Sequence, residues 1–87
     1  MKNNPIVIVG SYNQDLTWYC QNFPQPGETI FGSFATGPGG KGSNQAVAAA
    51  RTGIGTTFVG AVGKDVFGAG VKRFYEDEGI EFQLVEY

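Results

Sequence analysis

The sequence contains no histidine and only one cysteine, Cys20, in 87 residues. Without histidine there is no Ser-His-Asp or Cys-His catalytic arrangement. One cysteine closes no internal disulfide and builds no zinc cluster. Basic residues are scarce as well: six Lys and Arg against eight Asp and Glu leave a net charge of −2. They are scattered rather than clustered, which argues against a nucleic-acid or anionic-membrane partner. No apolar run approaches the roughly 20 residues that span a bilayer, and the N-terminus lacks the long apolar region of a signal peptide. The expectation is a reduced, cytoplasmic protein.

What the chain does have is glycine and aromatic rings: fourteen Gly, seven Phe, four Tyr and one Trp. So many rings in a short chain imply a dense core or apolar faces meant to meet something else. A chain of this size buries only about 60% of its unfolded surface, so alone it would have a thin margin of stability.

Pro5-Ile6-Val7-Ile8-Val9-Gly10 is a β-branched run closed by glycine. Its continuous apolarity predicts a strand covered on both faces, as in a parallel sheet. Ser11-Tyr12-Asn13-Gln14-Asp15 follows at the strand's C-terminal end, where open α/β sheets bind ligands. Asn13 and Asp15 would share a side if extended. From position alone a plain polar turn is the simpler account of them, since Asn and Asp favour turns without any function. The segments 16–23 and 28–36 have strand composition and flank Pro24-Gln25-Pro26-Gly27, a strong turn signal. They predict an antiparallel pair projecting as a flap, with Trp18, Tyr19, Phe23, Ile30, Phe31 and Phe34 supplying apolar surface. Residues 41–52 predict a helix ended by Gly53. A second parallel strand follows over 56–63. Asp65 is a candidate cap for a helix running to about Glu78, with Phe67, Val71, Phe74 and Tyr75 on its apolar face. Gly79 ends it, and residues 80–87 begin another strand. The order β, flap, α, β, α, β is the opening of an α/β domain with a parallel sheet. Three strands seldom suffice for such a sheet, so a larger domain is expected.

Between flap and helix lies Gly37-Pro38-Gly39-Gly40-Lys41-Gly42-Ser43-Asn44-Gln45, expected as a loop at a helix N-terminus. Free N–H groups and the positive end of the helix dipole face outward there. A Walker phosphate loop needs Ser or Thr directly after Gly-Lys, and Gly42 intervenes. Gly37, Gly39 and Gly42 match G-x-G-x-x-G, but that motif belongs after the first strand. A sugar-binding loop beside a phosphoryl donor would use the paired donors and acceptors of Asn13, Asp15 and Asn44, with Lys41 as a point charge. On spacing alone, a glycine-rich turn that merely starts a helix stays as open as this reading.

Four blocks at matching intervals carry a resemblance that covers nearly the whole chain. They are Gly10–Asp15, the Pro26-Gly27-Glu28-Thr29 turn, Gly39–Ala46 (GGKGSNQA) and Val62–Gly68 (VGKDVFG). Together they resemble the N-terminal part of the ribokinase-like, or pfkB, family of carbohydrate kinases. The pair Asn13 and Asp15 with GGKGSNQA is similar to the sugar site of its ribose-acting members. The resemblance implies a three-layer, Rossmann-like α/β domain with a protruding antiparallel β lid, about residues 16–36, after the first core strand. It implies ATP-dependent phosphorylation of D-ribose at the 5-hydroxyl, with Mg2+ and a monovalent cation such as K+, and a homodimer clasped through the lid. By the same resemblance, Asp15 accepts from two sugar hydroxyls and Asn13 holds another. Gly40, Gly42 and neighbouring backbone contact the sugar, Lys41 reaches sugar and transferred phosphate, and Asn44 bonds a ring-edge hydroxyl. The family's catalytic aspartate, oxyanion-hole glycines, adenine pocket and monovalent-cation site match nothing in these residues. Residues 1–87 are therefore expected to hold a sugar half-site and no kinase activity by themselves. A sister kinase acting on deoxyribose, fructose or a nucleoside, and a non-catalytic interaction module, are the alternatives.

Overall fold

The computed structural model describes residues 4–87. Its elements run β1 (Ile6–Val9), β2 (Asn13–Tyr19), β3 (Ser33–Gly39), α1 (Lys41–Arg51), β4 (Thr56–Val62), α2 (Val66–Asp77) and β5 (Glu81–Glu86). Strands β1, β4 and β5 form a parallel sheet in that spatial order, while β2 and β3 form a separate antiparallel hairpin. The α/β architecture with a parallel sheet and a separate antiparallel hairpin is as expected from the sequence.

Both crossovers step in the same direction across the sheet, so right-handed connections place both helices on one face. There Ala46 of α1 and Val71 and Tyr75 of α2 close over Phe58 and Val62 of β4, with Ile80 beside them and Ile8, Phe82 and Leu84 packed at the margin. The central strand is the most buried. Its two inner threonines are satisfied: Thr56 donates to the Ile54 carbonyl at 2.9 Å, and Thr57 accepts from the Asn4 amide at 2.7 Å. On the opposite face Val7, Val9 and Val85 are exposed. The expected cover on both faces is thus met on one only, and the described residues supply two of the three layers.

Local signals set the helix ends. Asp65 accepts from the Gly68 N–H at 2.9 Å and caps α2, while Gly53 and Gly79 adopt positive φ just past α1 and α2. The expected apolar face of α2 holds at Val71, Phe74 and Tyr75 but not at Phe67, which stays exposed at the helix start.

The hairpin pairs from Asn13 with Gly39 to Tyr19 with Ser33. It therefore begins three residues earlier and ends three residues later than expected, and strand pairing is absent from 20–32. At its tip Gln25 accepts from the Glu28 N–H at 2.9 Å with Gly27 at φ 76°, a type II turn with Pro26 and Gly27 in their preferred places. Trp18 and Phe34 are cross-strand partners with ring centroids 4.6 Å apart. Trp18, Tyr19, Phe23, Phe31 and Phe34 are nevertheless exposed, as the flap reading anticipated.

Candidate functional site

The root of the hairpin meets the sheet at three glycines. Gly42, in the first turn of α1, packs against Gly10 at the end of β1. A Cβ on Gly42 would stand 2.9 Å from the Gly10 Cα and 3.0 Å from the Ser11 nitrogen. The Ser43 N–H donates to the Ser11 carbonyl at 3.2 Å, which fixes the start of α1 to the end of β1. Between β3 and α1 the chain turns at Gly40 alone, with φ 98° and ψ 140°. Only glycine is at ease there, and a Cβ would lie 2.7 Å from the Asn13 nitrogen. The stretch 37–45, expected as a loop, is therefore strand through Gly39, one hinge residue, then helix. Pairing with β2 draws Gly37-Pro38-Gly39 into the strand despite their composition.

This junction gathers most of the residues singled out from the sequence. Asn13 and Asp15 lie two apart on β2, so their side chains share one face. Asp15 reaches over Gly39, whose missing side chain leaves room for the carboxylate: a Cβ there would be 2.5 Å from Oδ2 and 2.6 Å from Cγ. Lys41 and Asn44 follow as the first and fourth residues of α1, three apart and so on one side of its first turn. All four polar side chains are solvent-exposed. Gly42 is instead buried against β1, so its side is turned to the body. Gly39 carries no site role in the sequence reading; the register sets it opposite Asn13, and the Asp15 side chain reaches it diagonally from its own partner Gly37.

The helix start is electrostatically unusual. Gly40 provides no side-chain cap, the first turn contains no acidic residue, and Lys41 puts a cation at the positive end of the dipole. An exposed cation there costs roughly 0.3–1 kcal/mol. With the Ser43 N–H already taken by the Ser11 carbonyl, it is the positive helix end and the Lys41 ammonium that together favour oxygen-rich, anionic ligands.

Behind the strand, on the face opposite Asn13 and Asp15, a second layer of polar contacts supports the site. Tyr12 donates to Gln14 Oε1 at 2.7 Å, and the buried Tyr75 donates to Ser43 Oγ at 2.8 Å. The two tyrosine rings meet edge to face, 6.4 Å between centroids. Burial raises the Tyr12 pKa above the ordinary value of 10.0, with further contributions from Tyr75 and the Asp15 carboxylate. Burial raises Tyr75 also, opposed by its hydrogen bond to Ser43. Both phenols therefore remain protonated donors across the neutral range. A cavity of about 370 Å³ lies on this same side, lined by Gln14, Val62, Asp65, Phe67 and Tyr87 among others. It contains none of Asn13, Asp15, Lys41 or Asn44, so the cavity and the candidate site are separate. Among the described residues no three His, Cys, Asp or Glu side chains cluster to hold a metal ion, and no helix is long and apolar enough to cross a membrane.

A carboxylate and an amide on a strand, facing a glycine hinge and a basic helix start at the root of a β flap, make this junction the candidate ligand site. Comparison with known proteins shows the family. Residues 3–87 match the pfkB family carbohydrate kinases, and the chain belongs to that family. It is 42% identical over 82 residues to the ribokinase of Lactococcus lactis, covering 92% of this chain and 27% of that protein. A deoxyribokinase from Salmonella typhi is 40% identical over 82 residues, covering 93% and 27% respectively. The structure of Arabidopsis thaliana ribokinase complexed with ribose and ATP superimposes with a TM-score of 0.80 at 35% identity, over 95% of this chain and 28% of that one. The chain thus spans little more than a quarter of the length of the relatives it matches.

Proposed function

We propose that these residues form the sugar-binding and lid half of an ATP-dependent kinase that phosphorylates D-ribose at its 5-hydroxyl. The observation that carries this reading is the exposed Asp15 carboxylate, laid over Gly39 at the hinge with Asn13 on the same face. A carboxylate is acceptor-only and can take hydrogens from two neighbouring hydroxyls, while an amide both donates and accepts. Asp15 grips two vicinal sugar hydroxyls, Asn13 a third, and Asn44 a ring-edge hydroxyl. The Gly40 hinge lets the hairpin fold over the bound sugar. Lys41 and the uncapped start of α1 offset negative charge near the transferred phosphoryl group, which suits a reaction governed by positioning and charge stabilisation.

In this reading residues 1–87 are the N-terminal part of a ribokinase-like domain in a cytoplasmic protein. The catalytic base, nucleotide pocket and sites for Mg2+ and a monovalent cation such as K+ belong to sequence beyond them. These residues carry no kinase activity by themselves, and the exposed aromatic lid surface clasps a second copy. The match to a deoxyribokinase favours one competing reading, in which the sugar is 2-deoxyribose. The two separate on the 2-hydroxyl. If Asp15 binds a vicinal pair, the full-length protein prefers ribose, because one charge-assisted hydrogen bond is worth on the order of 1.5–3 kcal/mol, roughly 10- to 150-fold. Equal kcat/KM for the two sugars refutes the ribose reading.

A further inference from the structure

Gln14 lies between the two candidate sugar ligands but points to the other face of β2. Its amide is held at both ends: Tyr12 donates to Oε1 at 2.7 Å, and Nε2 donates to Thr36 Oγ1 at 2.9 Å. The Thr36 hydroxyl in turn donates to the backbone carbonyl of Asp15 at 2.7 Å. This direction is forced. With the Thr36 proton committed to Asp15, a flipped amide would set Oε1 against an oxygen that has no hydrogen to give.

From Tyr12 the contacts pass edge-on to Tyr75 and through its hydroxyl to Ser43, which adjoins Asn44. One continuous series therefore joins the two halves of the sugar site from behind: Asp15, Thr36, Gln14 and Tyr12 on the hairpin side, Tyr75 and Ser43 on the helix side. Its outer members add little to holding the hairpin together. Backbone pairing already runs unbroken from Asn13 to Tyr19, and Gln14 with Thr36 forms an exposed contact whose groups water could satisfy. What the series does add is a restraint on the Asp15 peptide, and hence on the direction in which its side chain leaves the strand.

We propose that Gln14 and Thr36 are positioning residues that aim the Asp15 carboxylate at the sugar, with Tyr12 anchoring them to the body of the domain. This rests on the ribose reading. The test is steady-state kinetics of the full-length protein with ribose and ATP. Thr36→Val keeps the shape and removes the hydroxyl; it is expected to raise the ribose KM about fivefold, as for loss of one hydrogen bond, with kcat and the ATP KM within about twofold. Gln14→Ala gives a similar rise, and Thr36→Ser restores the original KM. In an Asp15→Asn background the Thr36→Val effect falls below about 1.5-fold, because residues acting through one another are not additive. A merely structural role would leave the effect undiminished there, and that result overturns the proposal. So does an unchanged ribose KM in both single variants. If Asp15→Asn itself leaves the ribose KM unchanged, the ribose reading fails and takes this proposal with it.

Discussion

Substituting Gly39 by alanine tests the site through steric contact alone. Gly39 has ordinary backbone dihedrals, so alanine is conformationally tolerated, yet its Cβ would stand 2.5 Å from Asp15 Oδ2 and 2.6 Å from Cγ. Something must move, and the movable group is the end of the exposed Asp15 side chain. Gly39→Ala should therefore displace the carboxylate without unfolding the hairpin. Losing a charge-assisted hydrogen bond of roughly 1.5–3 kcal/mol corresponds to a ribose KM about 10- to 150-fold higher. Two neighbours serve as controls. A Cβ on Gly37 meets nothing within 4 Å, so Gly37→Ala should leave KM and stability unchanged. Gly40→Ala combines φ 98° with a Cβ 2.7 Å from the Asn13 nitrogen and 2.8 Å from the Ser11 carbonyl oxygen. It should lower the melting temperature, since here backbone must yield. Kinetics and thermal unfolding of the three variants of the full-length protein separate the cases. An unaltered ribose KM in Gly39→Ala would refute the placement of the sugar over Asp15.

Two stability predictions accompany this one. Tyr75→Phe removes the donor to the buried Ser43 hydroxyl and should cost about 1–3 kcal/mol in denaturant unfolding. Because burial raises the Tyr12 and Tyr75 pKa values, the folded state holds these protons more tightly than the unfolded chain. Stability from this source is full below about pH 10 and falls as pH rises through the folded-state values; the alkaline limb should be shallower in Tyr75→Phe. Asp65→Ala removes the cap on Gly68 and should cost about 1 kcal/mol, measured the same way, with the ribose KM unchanged.

The sequence was most legible where one residue type has one physical use. Asp65 as a cap, Gly53 and Gly79 as helix stops, and Pro26-Gly27 in a type II turn all stand where composition alone placed them. The parallel sheet followed from β-branched runs alternating with helical periods. The limits of the hairpin were not legible. Asn13 and Gly37-Pro38-Gly39 are poor strand formers taken singly, and only their pairing across the root makes them strand. That pairing also created the seat for Asp15 on Gly39, which no local pattern announces. Phe67 fits the apolar period of α2 but stands at its first turn, beyond the reach of the core. Asn13, Asp15, Gly40, Lys41 and Asn44 came together as a candidate group only through the resemblance to the pfkB kinases, since on spacing alone a plain glycine-rich helix start stayed open. Gln14 was not, since its partners lie 2 and 22 residues away on the far side of the strand.

The central claim is that Asp15 grips a vicinal diol, and sugar discrimination tests it most directly. The kcat/KM of the full-length protein is measured for ribose and for 2-deoxyribose, before and after Asp15→Asn. The expected result is a preference for ribose of at least about tenfold that shrinks toward unity in the variant. A preference of the same size with and without the carboxylate would contradict it.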